Sequence, residues 1–161
     1  MIRVLIADDH ETVRLGLSRV LGDEPDIEIC AIAATGEAAV ELTDTCDPDV
    51  VVLDLTMPGG GGIAAAARIH LTHPGVRVMV LTCHDDAAHV REAFAAGASG
   101  YILKDDRSAE LVDAVRAVHR GEVRLSSDAE EALSSWSATI PTPGASARHW
   151  WPGLHHRAPR R

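Results

Sequence analysis

Val50–Gly62 reads VVVLDLTMPGGGG. Four aliphatic residues run straight into a carboxylate, Asp54, and then into Pro58 and four glycines. A short, continuously apolar run bounded by turn residues predicts a strand covered on both faces, as in a parallel sheet flanked by helices. A buried strand that ends on a charge needs a reason. Asp54 is either a cap or part of a site. The glycines are either a phosphate cradle or slack, and no Gly-Lys-Ser/Thr succeeds them, which excludes a P-loop.

The same apolar texture recurs along the chain. Ile2–Ala7, Ile27–Ala33, Asp49–Leu53, Val76–Leu81 and Gly100–Leu103 are the strand candidates. Between them lie amphipathic stretches. Glu11–Leu21 places Val13, Leu17 and Val20 on one face, and similar stripes cover Glu37–Thr45, Ile63–Leu71, Ala87–Ala96 and Arg107–Arg120. Gly97 and Gly121 stand where helix-ending glycines are expected. Alternation of this kind predicts a doubly wound α/β sheet with helices on both faces.

Composition narrows the function. The chain has 161 residues, 46% of them hydrophobic, enough for one domain with a core. No apolar run approaches the roughly 20 residues of a membrane span. The opening MIRVLIADDH has no signal-peptide pattern. Three cysteines (Cys30, Cys46, Cys83) without paired-ligand spacing predict reduced thiols in a cytoplasmic protein. Up to Glu131 the chain carries 11 Lys and Arg against 24 Asp and Glu, a net of −13, whereas the last thirty residues carry four arginines and no acid. The acidic body would repel a phosphate backbone, which opposes nucleic-acid binding.

Ligands of open α/β sheets bind beyond the carboxyl ends of the strands. Those ends hold Asp8-Asp9, Asp54, Thr82 and Lys104. Clustered carboxylates repel one another unless a hard cation such as Mg²⁺ neutralises them. Asp54 can then act as a nucleophile toward phosphorus, Lys104 can offset charge on the phosphoryl oxygens, and Thr82 can donate to one of them. Taken singly, each residue has a plainer reading as a cap, a strand-end threonine or a surface lysine. Their shared position at strand ends is what favours a site.

The stretches IRVLIADDHETVRLGL, VVVLDLTMPGGGGI, VMVLTCHDDAAHVREAFAAGASGYILKD and LVDAVRAVHRGEVRLS resemble the receiver domain of two-component response regulators of the NarL/FixJ (LuxR-type) subfamily. The resemblance covers about residues 1–127. It implies a flavodoxin-like (CheY-like), five-stranded parallel sheet of order 2-1-3-4-5. It also implies that Asp54 is the phosphoacceptor, that Asp9 binds Mg²⁺ directly and Asp8 through water, and that the Thr56 carbonyl is a further ligand. Thr82 and Lys104 match the family's switch hydroxyl and lysine, and Tyr101 its switch aromatic. The implied partner is a sensor histidine kinase, and the implied consequence of phosphorylation is homodimerisation. Gly60 and Gly61 replace bulkier family residues, so a mobile loop is expected there. Thr56 and His84 flank the site where the lifetime of the acyl phosphate is tuned.

Such regulators carry a four-helix DNA-binding module, but only 40 residues come after Gly121. Four helices of about 11 residues each already exceed that. The expected organisation is a receiver domain over 1–124, a linker helix over 125–137 and a disordered basic tail over 138–161. The expected product is a truncated transcriptional regulator without specific DNA binding, or a single-domain regulator acting by protein contact. A Mg²⁺-dependent phosphohydrolase with an aspartyl nucleophile is the enzymatic alternative. It is disfavoured because Asp54-Leu55-Thr56 lacks a second aspartate two residues on.

Overall fold

The computed structural model describes residues 1–58, 61–104 and 108–137. The elements alternate from the start: β1 (Ile2–Ala7), α1 (Glu11–Gly22), β2 (Ile27–Ala33), α2 (Gly36–Cys46), β3 (Val50–Leu53), α3 (Gly61–Thr72), β4 (Arg77–Thr82), α4 (Ala87–Ala95), β5 (Gly100–Leu103), α5 (Ser108–His119), β6 (Arg124–Leu125) and α6 (Ser127–Ser137). All strand pairs are parallel, in the order β2-β1-β3-β4-β5-β6. The expected five strands take the expected order, and β6 adds a sixth at the edge.

Both faces of the sheet are packed, and the strand alternation shows how. Val4 and Ile6 of β1 join Leu17, Leu21, Leu111 and Val115 of α1 and α5 in one core cluster. Leu5 and Ala7, pointing the other way, join Ala65, Ala66 and Ile69 of α3 in a second. A third gathers Val80, Val90, Ala93, Tyr101 and Ala129 where α4 and α6 cover β4 and β5. Val50, Val51, Val52 and Leu53 are all at most 1% exposed, which accounts for the unbroken apolar run of β3. Burying side chains of this size stabilises the fold by about 1.5–3 kcal/mol each.

The capping obeys local chemistry. Thr35 Oγ1 accepts from Ala38 N at 3.1 Å at the start of α2, and Asp86 accepts from His89 N at 3.1 Å at the start of α4. Gly97 and Gly121, past α4 and α5, have φ of 97° and 85°, conformations that side chains rarely adopt.

Gly121 also turns the chain back along β5. Arg124 N then donates to Ser99 O at 3.1 Å and Ser126 N to Tyr101 O at 2.9 Å. A strand of two residues is too short to produce a periodicity, so no pattern in the sequence announces it. Residues 125–137, expected as a linker helix, supply the second residue of β6 and then α6, whose Ala129 is fully buried. The expected tail over 138–161 lies outside the described residues, as do Gly59 and Gly60.

Candidate phosphoryl-acceptor site

Three strand ends build the site, and backbone bonds fix their level. Asp54 N donates to Ala7 O at 2.9 Å, Lys104 N to Thr82 O at 2.9 Å, and Asp8 N to Ala33 O at 3.2 Å. These bonds continue the parallel ladder one residue past each strand. Asp8, Asp54 and Lys104 therefore reach the same edge without any long loop to position them.

Lys104 is the keystone of the arrangement. Its Nζ lies 2.7 Å from Asp8 Oδ2 and 3.0 Å from Asp54 Oδ2. The Asp54 side chain is fully buried, that of Asp8 is 2% exposed and that of Lys104 13%. Burial alone would lower the lysine's affinity for its proton. The hydrogen bonds and charges of Asp8 and Asp54 outweigh it and hold the ammonium above its ordinary value.

The second Asp54 oxygen is also engaged. Thr56 N reaches Oδ1 at 3.2 Å, and the Thr56 hydroxyl lies 3.0 Å from Oδ1 and 3.2 Å from Oδ2. Gly62, in the first turn of α3, packs against this same segment. A Cβ on Gly62 would collide with the Asp54 carbonyl, the Leu55 Cα and the Leu55 carbonyl. Gly61 is likewise buried, against Gly36. Of the two glycines where a mobile loop is expected, Gly60 lies outside the described residues and Gly61 opens the helix α3; Gly62 has no room for a side chain, whereas a Cβ on Gly61 would meet Gly36 only at ordinary contact distance.

Asp8, Asp9, His10 and Asp54 can each bring one ligand atom within 4.8 Å of the others. Three carboxylates face one ammonium, so the cluster carries an excess of two negative charges when all are ionised. Asp9 Oδ1 is buried and receives no hydrogen bond among the described residues, although His10 Nδ1 stands 3.0 Å away. His10 Nδ1 is also 3.1 Å from Asp8 Oδ1, and His10 N donates to that oxygen at 2.8 Å. An acid-rich set of oxygen donors with an unsatisfied carboxylate oxygen suits a hard divalent cation such as Mg²⁺.

Thr82 and Tyr101 sit one strand further on. Thr82 is fully buried, and its Oγ1 accepts from His84 N at 3.3 Å. No hydrogen bond joins it to Asp54 among the described residues. Tyr101 is fully buried too, and its hydroxyl donates to the His84 carbonyl at 2.7 Å. Burial, with the charges of Asp86 and Asp85 as lesser causes, pushes its phenol well up. The structure thus unites Asp8, Asp9, Asp54, Thr56 and Lys104 directly and links Thr82 to Tyr101 through His84. As sequence, His84 reads as a solvated loop residue. It is instead half-buried, and its ring stacks on that of His89 with centroids 4.2 Å apart.

Known proteins point the same way. The profile of the family described as "Response regulator receiver domain" matches residues 4–116. The chain is 42% identical over 127 residues to the transcriptional regulatory protein LiaR of Bacillus subtilis, covering 79% of this chain and 60% of that one. It is 40% identical over 120 residues to the transcriptional regulatory protein DegU of Brevibacillus brevis, covering 74% and 51%. A crystal structure of a LuxR-family two-component response regulator from Aurantimonas sp. SI85-9A1 superposes with a TM-score of 0.81 at 37% identity, covering 84% of this chain and 97% of that one. The chain spans only about half to three-fifths of the curated relatives it matches.

Proposed function

The chain belongs to the receiver-domain family of two-component response regulators, in its NarL/LuxR branch, and from that premise we propose that Asp54 accepts a phosphoryl group from the phosphohistidine of a sensor kinase. The observation that carries the reading is Lys104 bridging Asp8 and Asp54, with all three side chains at most 13% exposed. Asp54 attacks phosphorus, a new P–O bond forms, and the P–N bond breaks with its electron pair returning to the donor imidazole, which takes up a proton. Lys104 tracks the migrating charge onto the phosphoryl oxygens. Asp8, Asp9, Asp54 and the Thr56 carbonyl would hold Mg²⁺, which when bound offsets negative charge in the transition state.

Thr82 is the group that responds. Its hydroxyl leaves His84 N to donate to a phosphoryl oxygen, which alters the segment whose carbonyl holds Tyr101. The surface of α4, β5 and α5 then carries the change to a homodimer contact, and α6 continues from it as a connector after the receiver unit of residues 1–124. Acceptance and loss of the phosphoryl group are self-catalysed steps of a signalling protein, whose relatives are regulators and not classical enzymes. A transcriptional regulator whose DNA-binding module is not in this sequence is the reading of the whole protein. A cytoplasmic location accords with the absence, among the described residues, of a helix long and apolar enough to cross a membrane.

Intact-mass measurement after incubation with Mg²⁺ and acetyl phosphate tests this. One phosphoryl adduct is expected, lost in Asp54→Asn and on removal of Mg²⁺ by chelation. An adduct that survives Asp54→Asn, or rapid turnover of unrelated phosphoesters, would overturn the reading.

A further inference from the structure

The loop after β4 and the first turn of α4 hold a second cluster that the phosphoryl-acceptor reading does not use. We propose that His84, Asp86 and His89 form a site for a divalent ion of borderline softness, of which Zn²⁺ is the type. One ligand atom from each residue lies within 4.8 Å of the other two. Two imidazoles and a carboxylate are a donor set that suits zinc, with a fourth position left for water. Mg²⁺ prefers oxygen donors throughout, so the two clusters select different ions.

Geometry brings the site close to formed. Donor atoms about 2.05 Å from a tetrahedral ion stand about 3.3 Å apart, so the wider pairs need to close by at most about 1.5 Å, while Asp86 Oδ2 and His89 Nδ1 need to part by about 0.7 Å. The stacked rings lie within 8° of parallel. Imidazole lone pairs lie in the ring plane, so the rings must splay to converge on one ion. The His89 side chain is 38% exposed and that of Asp86 50%, which leaves room for that rotation. Asp86 is already oriented: it caps α4 through His89 N at 3.1 Å, and its Oδ2 lies 2.6 Å from His89 Nδ1. Its sequence neighbour Asp85, exposed in the same loop, adds negative charge beside the site.

An ion here ties a loop residue to a helix residue. The carbonyl of His84 accepts the Tyr101 hydroxyl at 2.7 Å, so fixing His84 also fixes Tyr101 in its buried position. That consequence rests on the reading of Tyr101 as the switch. The metal site itself does not.

Titration of the full chain with Co²⁺ as a spectroscopic stand-in for Zn²⁺ tests the site, at about pH 7.5 because metal affinity depends on pH. Excess Mg²⁺ occupies the acidic pocket throughout. One equivalent with the visible bands of tetrahedral Co²⁺ is expected, weakened at least about 10-fold in His84→Gln and in His89→Gln. Binding should persist in His10→Gln and after replacement of His149, His155 and His156. No bound equivalent, binding unaffected by both loop variants, or binding lost only in the His10 or tail variants would overturn the proposal. Hydrogen exchange reads the coupling independently of phosphorylation. Zn²⁺ should slow exchange of amides 83–90 in the native chain but not in His89→Gln, and unchanged exchange in both would sink the link to Tyr101.

Discussion

Asp54 is not a free nucleophile in this structure. Lys104 holds one oxygen, and Thr56 holds the other through both its amide and its hydroxyl. The lysine bond can move with the charge onto a phosphoryl group, but the hydroxyl bond must break before attack. A hydrogen bond of this kind contributes about 1 kcal/mol net, a factor of about 5 in rate. Thr56→Ala should therefore take up phosphoryl from acetyl phosphate about 5-fold faster, measured as the initial rate of adduct formation by intact mass. An unchanged or slower rate would place the hydroxyl off the path of attack. The placement of Asp54 and Lys104 at one sheet edge is legible in the sequence because both come directly after apolar runs. The role of Thr56 toward Asp54 is not, since nothing in LDLTMP states which way a turn folds back on its own side chains.

Among the helices, α3 starts where local propensity argues against it. Its apolar stripe marks a helix from Ile63 onward, yet the helix begins at Gly61, two residues earlier. Glycine is a poor helix former, which disfavours that start. Tertiary contact decides it: Gly62 lies against the carbonyls of Asp54 and Leu55, and Gly61 against Gly36. A methyl group at Gly62 has backbone on its path and no flexible side chain to push aside. Gly62→Ala should lower stability by about 1–3 kcal/mol, read from the urea midpoint, and should slow phosphoryl uptake by displacing Asp54. An unchanged midpoint would mean that the first turn of α3 can simply unwind. The strands are readable because two packed faces demand continuous apolar runs, a demand visible within four residues. The start of α3, the two-residue β6 and the stacking of His84 on His89 depend on how the folded chain brings segments together. No periodicity encodes those.

At the scale of the whole molecule, alkaline stability draws on very few groups. Lys104 is the chain's one lysine and Tyr101 its one tyrosine, so no other residue of either type confuses the titration. Opposing burial, the bonds and charges of Asp8 and Asp54 raise Lys104 above its ordinary 10.5, and burial raises Tyr101 above its ordinary 10.0. Burial, with Cys46 nearby, also raises Cys30 above 9.0. In each case the folded chain keeps its proton to higher pH than the unfolded chain does. Below about pH 8 both states are protonated at these groups, and their contributions are complete. Above that the unfolded state releases protons first, so stability falls with rising pH. The urea midpoint should be level near about pH 8, decline gently as Cys30 titrates, and drop more steeply from about pH 10. Cys30→Ala should remove the first part of the decline. Tyr101→Phe should start lower by about 1 kcal/mol for its lost hydrogen bond to His84, yet fall less steeply above about pH 10. A midpoint level to about pH 11, or an equal slope in Tyr101→Phe, would show that the buried phenol and the bridging lysine are not coupled to folding as their surroundings require.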